Sequence, residues 1–423
     1  MSESQVPAHR GGGASLAEIG TSPRRWAIVV ALMLIGAMGV YNQIVVGALG
    51  PLITVEFEMS DTLLANMMLA PLVASIFLGL VSGSLGDRFG PARVTDVGLV
   101  ITVGGTVLRI FAEDFVVGFI SMLLIGLGAA AMGANMPKLL AAWFKPSQMG
   151  LAVGVVMIGM AGGTGIAQAT GARLGTPKNA FIITCLITAV LVLGFIAVVR
   201  DRPKGVPAPP AQERESSGGI LRDVLRNPQA WLIAIAMALF SGWQMIFAGM
   251  LPTMLNKGHG MELAQAGAIT SGFAWGGLAG CIIMPALATR LGMKPVIMGG
   301  ALLAAGSVAA AWFIAPSPIA AVFLALSGCG GAAISCLITT APALLPSIGP
   351  AKAGTAGGLM GTLMPIGGYV LPSFIAVPIA GSNYTLLTVI GAVTVGLTFF
   401  VMLGIPEYGV RAKKKAPVQA PAA

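Results

Sequence analysis

Long apolar runs recur along this chain, separated by short polar segments. A helix needs about 20 mostly apolar residues to cross a bilayer. On that rule the sequence predicts twelve spans, at 26–54, 62–85, 93–112, 115–144, 149–171, 178–199, 229–254, 264–288, 294–314, 318–342, 352–375 and 383–405. Only 9% of the 423 residues are charged and the mean hydropathy is +0.89, whereas about a quarter of an ordinary soluble domain is charged. We therefore expect an all-α integral membrane protein.

One polar segment divides the twelve runs into two sets of six. Residues 200–217 (RDRPKGVPAPPAQERESS) are rich in proline and charge, a composition that cannot bury a core, and an amphipathic piece at 220–226 follows. The predicted order is a tail at 1–25, a six-helix bundle at 26–199, a linker at 200–228, a second six-helix bundle at 229–405 and a tail at 406–423.

The basic residues predict how this array is oriented. Of the 24 lysines and arginines, nineteen lie on the side that carries both chain ends, three lie on the other side, and Arg109 and Lys138 lie within spans. Because basic loops stay in the cytoplasm, we predict a multi-pass protein of the cell (inner) membrane with both termini and the linker cytoplasmic. Residues 1–24 contain no apolar stretch, so the first span is expected to be an uncleaved anchor.

Several classes of site are not expected. The four cysteines lie in apolar stretches without CxxC spacing, and the only histidines, His9 and His259, lie outside the apolar runs. No metal site, cofactor or catalytic cluster is therefore predicted, nor a nucleic-acid partner, since the basic residues follow membrane topology. We interpret the chain as a protein that is not an enzyme and expect a monomer in contact with lipid.

The two sets of six are related by an internal repeat. At an offset of 202 residues, Leu85–Gly90 (LGDRFG) aligns with Leu287–Gly292 (LATRLG), and Tyr41–Asn42 aligns with Trp243–Gln244. Glycines in spans four and ten match at the same offset, and those in spans five and eleven match at 204. Such duplication is typical of secondary transporters.

The segment Gly83–Arg93 (GSLGDRFGPAR) resembles the loop signature of the major facilitator superfamily, with its degenerate copy between spans eight and nine. The resemblance extends from Trp26 to about Pro406 and implies two pseudo-symmetric six-helix bundles that move a solute by alternating access. Pro91-Ala92 stands where the signature prefers basic residues. The segment Gly133–Lys138 (GANMPK), followed by Trp143-Phe144, is similar to the branch of anion permeases for monocarboxylates, oxalate, cyanate and nitrate.

Lys138 is the sharpest candidate for substrate binding. A lysine inside an apolar span is costly and is therefore a functional candidate, and Asn135 lies one turn earlier as a hydrogen-bond donor. The alternative is that Lys138 snorkels to the membrane face near Trp143. The sequence leaves both open.

Polar and aromatic side chains at mid-membrane are the other candidates. We predict that they line a cavity, because lipid offers no hydrogen-bond partner, while hydrogen bonding between helices is the alternative. These candidates are Tyr41, Asn42, Gln43, Trp243, Gln244, Gln168 and Thr340. Arg109, beside Glu113 and Asp114, is interpreted instead as an anchor at the membrane interface.

Asp87 and Arg88, with Arg290 as the weaker counterpart, are predicted to form a gating latch at the membrane face; a plain basic loop is the alternative. The glycine-rich stretches 150–165 and 354–368 are expected to serve helix packing and movement.

Acidic residues are confined to loops and helix ends, so no carboxylate is placed to relay a proton through the deep membrane. We therefore predict a secondary active transporter for a small anion, most readily a mono- or dicarboxylate, with or without a proton. An efflux carrier for an amphiphilic compound and a membrane sensor or receptor remain alternatives.

Overall fold

The computed structural model describes residues 24–144, 146–201 and 217–408. The predicted tails, apart from their inner ends, and the central part of the predicted linker lie outside these residues.

The first half of the described chain contains seven α-helices. They are α1 (Arg24–Ala48), α2 (Gly50–Glu56), α3 (Asp61–Phe89), α4 (Pro91–Ile110), α5 (Phe115–Trp143), α6 (Pro146–Thr170) and α7 (Pro177–Val198), with a 3₁₀ turn at Gly171–Leu174 after α6. All but α2 are long and apolar enough to cross a membrane.

The second half contains ten α-helices and two π-helical segments. They are α8 (Ser217–Arg226), α9 (Pro228–Met245), a π segment (Ile246–Met250), α10 (Leu251–His259), α11 (Leu263–Leu291), α12 (Met293–Ile314), α13 (Ala320–Ile338), α14 (Ala341–Leu344), α15 (Gly349–Val370), a π segment (Leu371–Ala376), α16 (Val377–Ala380) and α17 (Tyr384–Leu403). Six spans arise here, two of them running through the π segments. Within the described residues there are thus twelve candidate spans, and the predicted all-α membrane fold is confirmed.

Polar caps set where several of these helices begin. The side chains of Ser60, Asp114 and Asn383 accept hydrogen bonds from the backbone N–H three residues later, at the starts of α3, α5 and α17. Such caps satisfy N–H groups that the helix itself leaves unpaired. They also place a polar residue at the membrane face, where the chain turns back.

The structure confirms the repeat in its geometry. Helices α3 and α11 each have 29 residues and begin 202 positions apart. Each is followed by a single glycine at positive φ, Gly90 at 98° and Gly292 at 104°, a conformation that glycine adopts without strain.

The predicted signature loop is therefore largely helical. Asp87 and Arg88 lie in the last turn of α3, and the turn itself consists of Gly90 alone. The expected loop boundary was wrong by four residues because the helix ends where glycine permits positive φ and not where hydropathy falls.

A carboxylate caps the next helix in both halves. Asp201 accepts a hydrogen bond from the backbone N–H of Ala92 (2.7 Å), and Glu407 accepts one from Met293 (2.7 Å). Negative charge is favourable at a helix N-terminus. Each cap ties the end of the sixth span of its half to the start of the third.

The two halves touch through α6 with α11 and through α3 with α15. We call the membrane face at which α1 begins and α17 ends the terminal face, and the other the opposite face. Hydrogen bonds between described residues of the two halves come from the middle and the opposite face, as in Thr253 to the carbonyl of Gly47 (2.8 Å) and Tyr369 to Asn66 (3.1 Å).

At the terminal face, by contrast, described hydrogen bonds stay within one half. Arg25 donates to Gln148, Trp143 donates to the carbonyl of Arg200, and Asn227 donates to the carbonyl of Ser347. The hydrogen bonds and ion pairs described between the two halves thus lie at the middle and at the opposite face.

Candidate functional site

The ammonium group of Lys138 lies at the terminal end of α3. It donates to the carbonyl of Gly83 (2.6 Å) and forms an ion pair with Asp87. Of the two positions that the sequence left open, the structure thus has the one near the membrane face. The charge of Lys138 is balanced by Asp87 in this state, and its role as a substrate ligand stays a prediction.

Asn135 is buried between α5 and α3 instead of facing open space. Its amide donates to the carbonyls of Ala131 (2.9 Å) and Ser82 (3.3 Å), while its Oδ1 has no partner. Gly86 makes room for this amide, since a Cβ there would collide with Oδ1. Asn135 and Lys138 therefore join α5 to the end of α3 that carries Asp87.

The remaining latch residues and Thr340 lie at exposed positions near the same face. The guanidinium of Arg88 lies 5.2 Å from the ring centroid of Phe89, and Arg290 is exposed at the end of α11. Thr340, just beyond α13, donates to the carbonyl of Leu337 (2.7 Å). Their gating and binding roles remain predictions.

Arg109 is fully buried, so its interpretation as an interfacial anchor was wrong. Its guanidinium donates to the backbone carbonyl and the side-chain Oδ1 of Asn42 (2.8 Å each) and to Thr184 (3.0 Å). It also lies 4.6 Å from the ring centroid of Phe181. Its acceptors thus come from α1 and α7, while the carboxylate of Asp114 caps the start of α5.

The partners of Arg109 leave its charge uncompensated. Amide, hydroxyl and carbonyl oxygens and the sulfur of Met122 accept its hydrogen bonds, its Nε has no partner, and it forms no ion pair with any described carboxylate. A charged side chain buried within a membrane-spanning bundle is costly. A cation held in this way is a functional candidate.

Asn42 joins Arg109 to α1. It is fully buried and its amide donates to Thr188 (2.9 Å), so it points into its own bundle and not into a cavity. Its neighbours flank it: the hydroxyl of Tyr41 lies 2.9 Å from that of Thr170, and Gln43 contacts the sulfur of Met245 in the other half (3.8 Å).

The span-seven candidates differ from their partners in span one. Trp243 is buried among Phe240, Phe247 and Phe273, with its ring centroid 5.0 Å from that of Phe273, and its indole Nε1 has no partner. It therefore packs the C-terminal bundle. Gln244 is half-buried, and its predicted role in the cavity stays open.

Gln168 meets a π segment, a feature that hydropathy does not reveal. It is fully buried, and its Nε2 donates to the carbonyl of Ala248 (2.8 Å) in the segment Ile246–Met250. Such π segments are frequent at functional sites. Gln168 thus joins α6 to the second half at the point where span seven is irregular.

A polar cluster at the opposite face was not predicted. Lys257 forms an ion pair with Asp61 (2.6 Å) and donates to Thr54 (3.1 Å), and Tyr384 donates to Asp61 (2.6 Å). We call Asp61, Lys257, Tyr384 and Thr54 the outer lock, because they join α2 and α3 of one half to α10 and α17 of the other. The sequence showed only that Asp61 and Lys257 lie on the same side of the twelve predicted spans.

Among the described residues, no group of three or more histidine, cysteine, aspartate or glutamate side chains could hold a metal ion.

A model of the Major Facilitator Superfamily matches residues 29–372. The chain belongs to this superfamily. It is a membrane transporter and not an enzyme, as the repeat and the signature at Gly83–Arg93 indicated.

Two proteins similar to this chain are named as anion transporters. The chain is 25% identical to the probable nitrate/nitrite transporter NarK2 of Mycobacterium tuberculosis, over 77% of this chain and 82% of the relative. It is 22% identical to the probable sulfoacetate transporter SauU of Cupriavidus necator, over 82% of this chain and 86% of the relative.

Solved structures of transporters share the fold. A bacterial homologue of the human lysosomal transporter Spinster superposes with a TM-score of 0.72 at 16% identity, over 92% of this chain and 98% of that one. A point mutant of the nucleoside transporter NupG superposes with a TM-score of 0.70 at 15% identity, over 89% of this chain and 99% of that one.

Proposed function

We propose that this protein is a secondary active transporter that moves a small anion, with a mono- or dicarboxylate as the first class to test. The observation that carries the proposal is Arg109, a fully buried cation without a carboxylate partner among the described residues. The named substrates of its relatives, nitrate or nitrite and sulfoacetate, support an anion.

The field of Arg109 is strong enough to matter without direct contact. A unit anion about 10 Å away gains about 1.7 kcal/mol at an effective dielectric constant of about 20, or more than a factor of ten in affinity. Asp87 offsets the charge of Lys138, so in this state Lys138 contributes less. The anion need only reach the Tyr41 and Gln43 side of α1 to feel this field.

The transport cycle follows from where the halves meet. We propose that the terminal face is cytoplasmic, that the bundles at 26–199 and 229–405 rock against each other, and that the present state opens toward the cytoplasm. The outer lock closes the other side. Gradients supply the energy, and the substrate itself can carry any proton that accompanies it.

Counterflow in proteoliposomes tests the proposal. Vesicles loaded with one unlabelled candidate are diluted into the same labelled compound, using oxalate, acetate, nitrate, sulfoacetate and, as non-anionic comparators, a neutral nucleoside and an amphiphilic cation. We expect accumulation of at least one anion, and Arg109→Gln should weaken it more than Arg173→Gln, a basic residue in the turn after α6.

Two results would overturn the proposal. One is accumulation of the nucleoside or the amphiphilic cation with none of the anions; the cation would favour the efflux alternative. The other is anion accumulation that Arg109→Gln leaves unchanged in a folded protein, since the buried charge would then have no part in recognition.

A further inference from the structure

Two cysteines of different helices face each other in the second half. The Sγ atoms of Cys281 in α11 and Cys336 in α13 lie 3.2 Å apart. Both cysteines are free, Cys281 is exposed and Cys336 is partly so. The sequence showed only that all four cysteines lie in apolar stretches without CxxC spacing, which does not indicate that these two meet.

A close helix crossing brings the two thiols together. A Cβ on Gly280 would lie 2.7 Å from the Cα of Cys329 and 2.7 Å from the Cβ of Ala332, so α11 and α13 approach as near as glycine allows. Disulfides need Cα atoms within about 7 Å, a condition that only such close crossings meet between helices.

The spacing favours a sulfur–sulfur bond over a bridging metal. Two thiolates each about 2.3 Å from a tetrahedral ion would lie about 3.8 Å apart, and no third ligand of a metal cluster is present among the described residues. A disulfide requires the sulfurs to close to about 2.05 Å, a movement of roughly 1 Å.

We propose that Cys281 and Cys336 form a redox-active thiol pair that a peroxide closes to a disulfide. One thiol of the pair, as its thiolate, attacks one oxygen of hydrogen peroxide, giving a sulfenic acid and hydroxide, which takes up a proton to become water. The other thiol then attacks the sulfenic sulfur, releases the second water and forms the disulfide bond. Two thiols and one peroxide thus give one disulfide and two waters, and a dithiol reductant reverses the change.

The other two cysteines provide matched comparisons. Cys185 is buried and accepts a hydrogen bond from Thr106 (3.5 Å), so it is expected to stay reduced. Cys329 lies on α13 with Cys336, and its removal by Cys329→Ser leaves the proposed pair intact.

Peptide mapping of the purified full chain tests the proposal. After treatment with hydrogen peroxide, remaining thiols are alkylated and the protein is digested without reduction. We expect a loss of two alkylatable thiols, a peptide linking Cys281 to Cys336, and recovery of both thiols with dithiothreitol. Cys329→Ser should give the same link, and Cys281→Ser should abolish it.

Contrary results are equally definite. The proposal fails if wild-type Cys281 and Cys336 both remain alkylatable after peroxide, if the link joins Cys329 instead, or if the only disulfide connects two protein molecules. The test does not depend on the transported substrate.

Discussion

At the scale of single residues, the structure places Arg109 away from the membrane interface at which the sequence put it, and it places the ammonium group of Lys138 near the membrane face, one of the two positions that the sequence left open. Arg109 lies in the last turn of α4, where an anchor would be expected, yet its acceptors come from α1 and α7, 67 and 75 residues away. No local pattern predicts partners so distant. Lys138 lies deeper in its span but reaches Asp87 at the membrane face.

The ion pair of Lys138 is expected to be weak. Its side chains are 34% and 59% exposed, and exposed pairs contribute about 1 kcal/mol or less. Lys138→Gln should therefore lower the melting temperature only slightly and leave the KM for the anion within about twofold. Thermal unfolding and uptake kinetics check this.

Lys352→Gln is the matched control, because Lys352 is 35% exposed and pairs with Asp223 (2.7 Å) at the same face. If Lys138→Gln abolishes anion binding while Lys352→Gln does not, Lys138 is a substrate ligand after all.

At the scale of elements, the crossing of α1 with span seven depends on Gly47. A Cβ at this position would meet the carbonyl group of Gly249 and lie 2.8 Å from the sulfur of Met68. In the same helix, a Cβ on Gly39 would have no atom within 4 Å. Of these two glycines in α1, Gly47 permits a close contact between helices and Gly39 does not lie at such a contact. The spacing of glycines in the sequence does not distinguish the two cases.

Gly47→Ala should weaken the contact between the halves at the opposite face. We expect spin labels at Val55→Cys and Phe313→Cys, in a chain without native cysteines, to move apart in pulsed electron resonance. Gly39→Ala should leave the distance distribution as in the parent. An unchanged distribution in Gly47→Ala would show that this crossing does not hold the halves together.

The helices themselves were predictable, because a run of about twenty apolar residues is typical of a membrane-spanning helix. The repeat was visible for a related reason: an offset of 202 is preserved in both the sequence and the helix bounds. The carboxylate caps at Asp201 and Glu407 were not, since each bonds a helix start more than 100 residues away.

At the scale of the whole molecule, the outer lock joins the two halves at the opposite face. Its ion pair joins residues 196 positions apart, and the bond from Tyr384 to Asp61 spans 323. Hydropathy cannot place such residues together, because it does not indicate which distant helix ends meet.

Asp61→Asn should loosen this lock. The substitution removes the charge attraction between Asp61 and Lys257. This attraction is only weakly screened by solvent, because the Asp61 side chain is 16% exposed. The same pair of spin labels should therefore report a longer distance. Asp114→Asn changes a carboxylate that caps α5 within its own half and should not; equal distributions in both variants would contradict the lock.

The proposed recognition of an anion depends on the buried charge of Arg109. The most direct measurement is the concentration dependence of anion uptake in proteoliposomes for wild type, Arg109→Lys, Arg109→Gln and Lys138→Gln, each checked for folding by thermal unfolding. We predict a KM raised roughly tenfold in Arg109→Gln, in line with a Coulomb term of about 1.7 kcal/mol, and a smaller rise in Arg109→Lys, which keeps the charge. A KM unchanged in folded Arg109→Gln but strongly raised in Lys138→Gln would contradict the account.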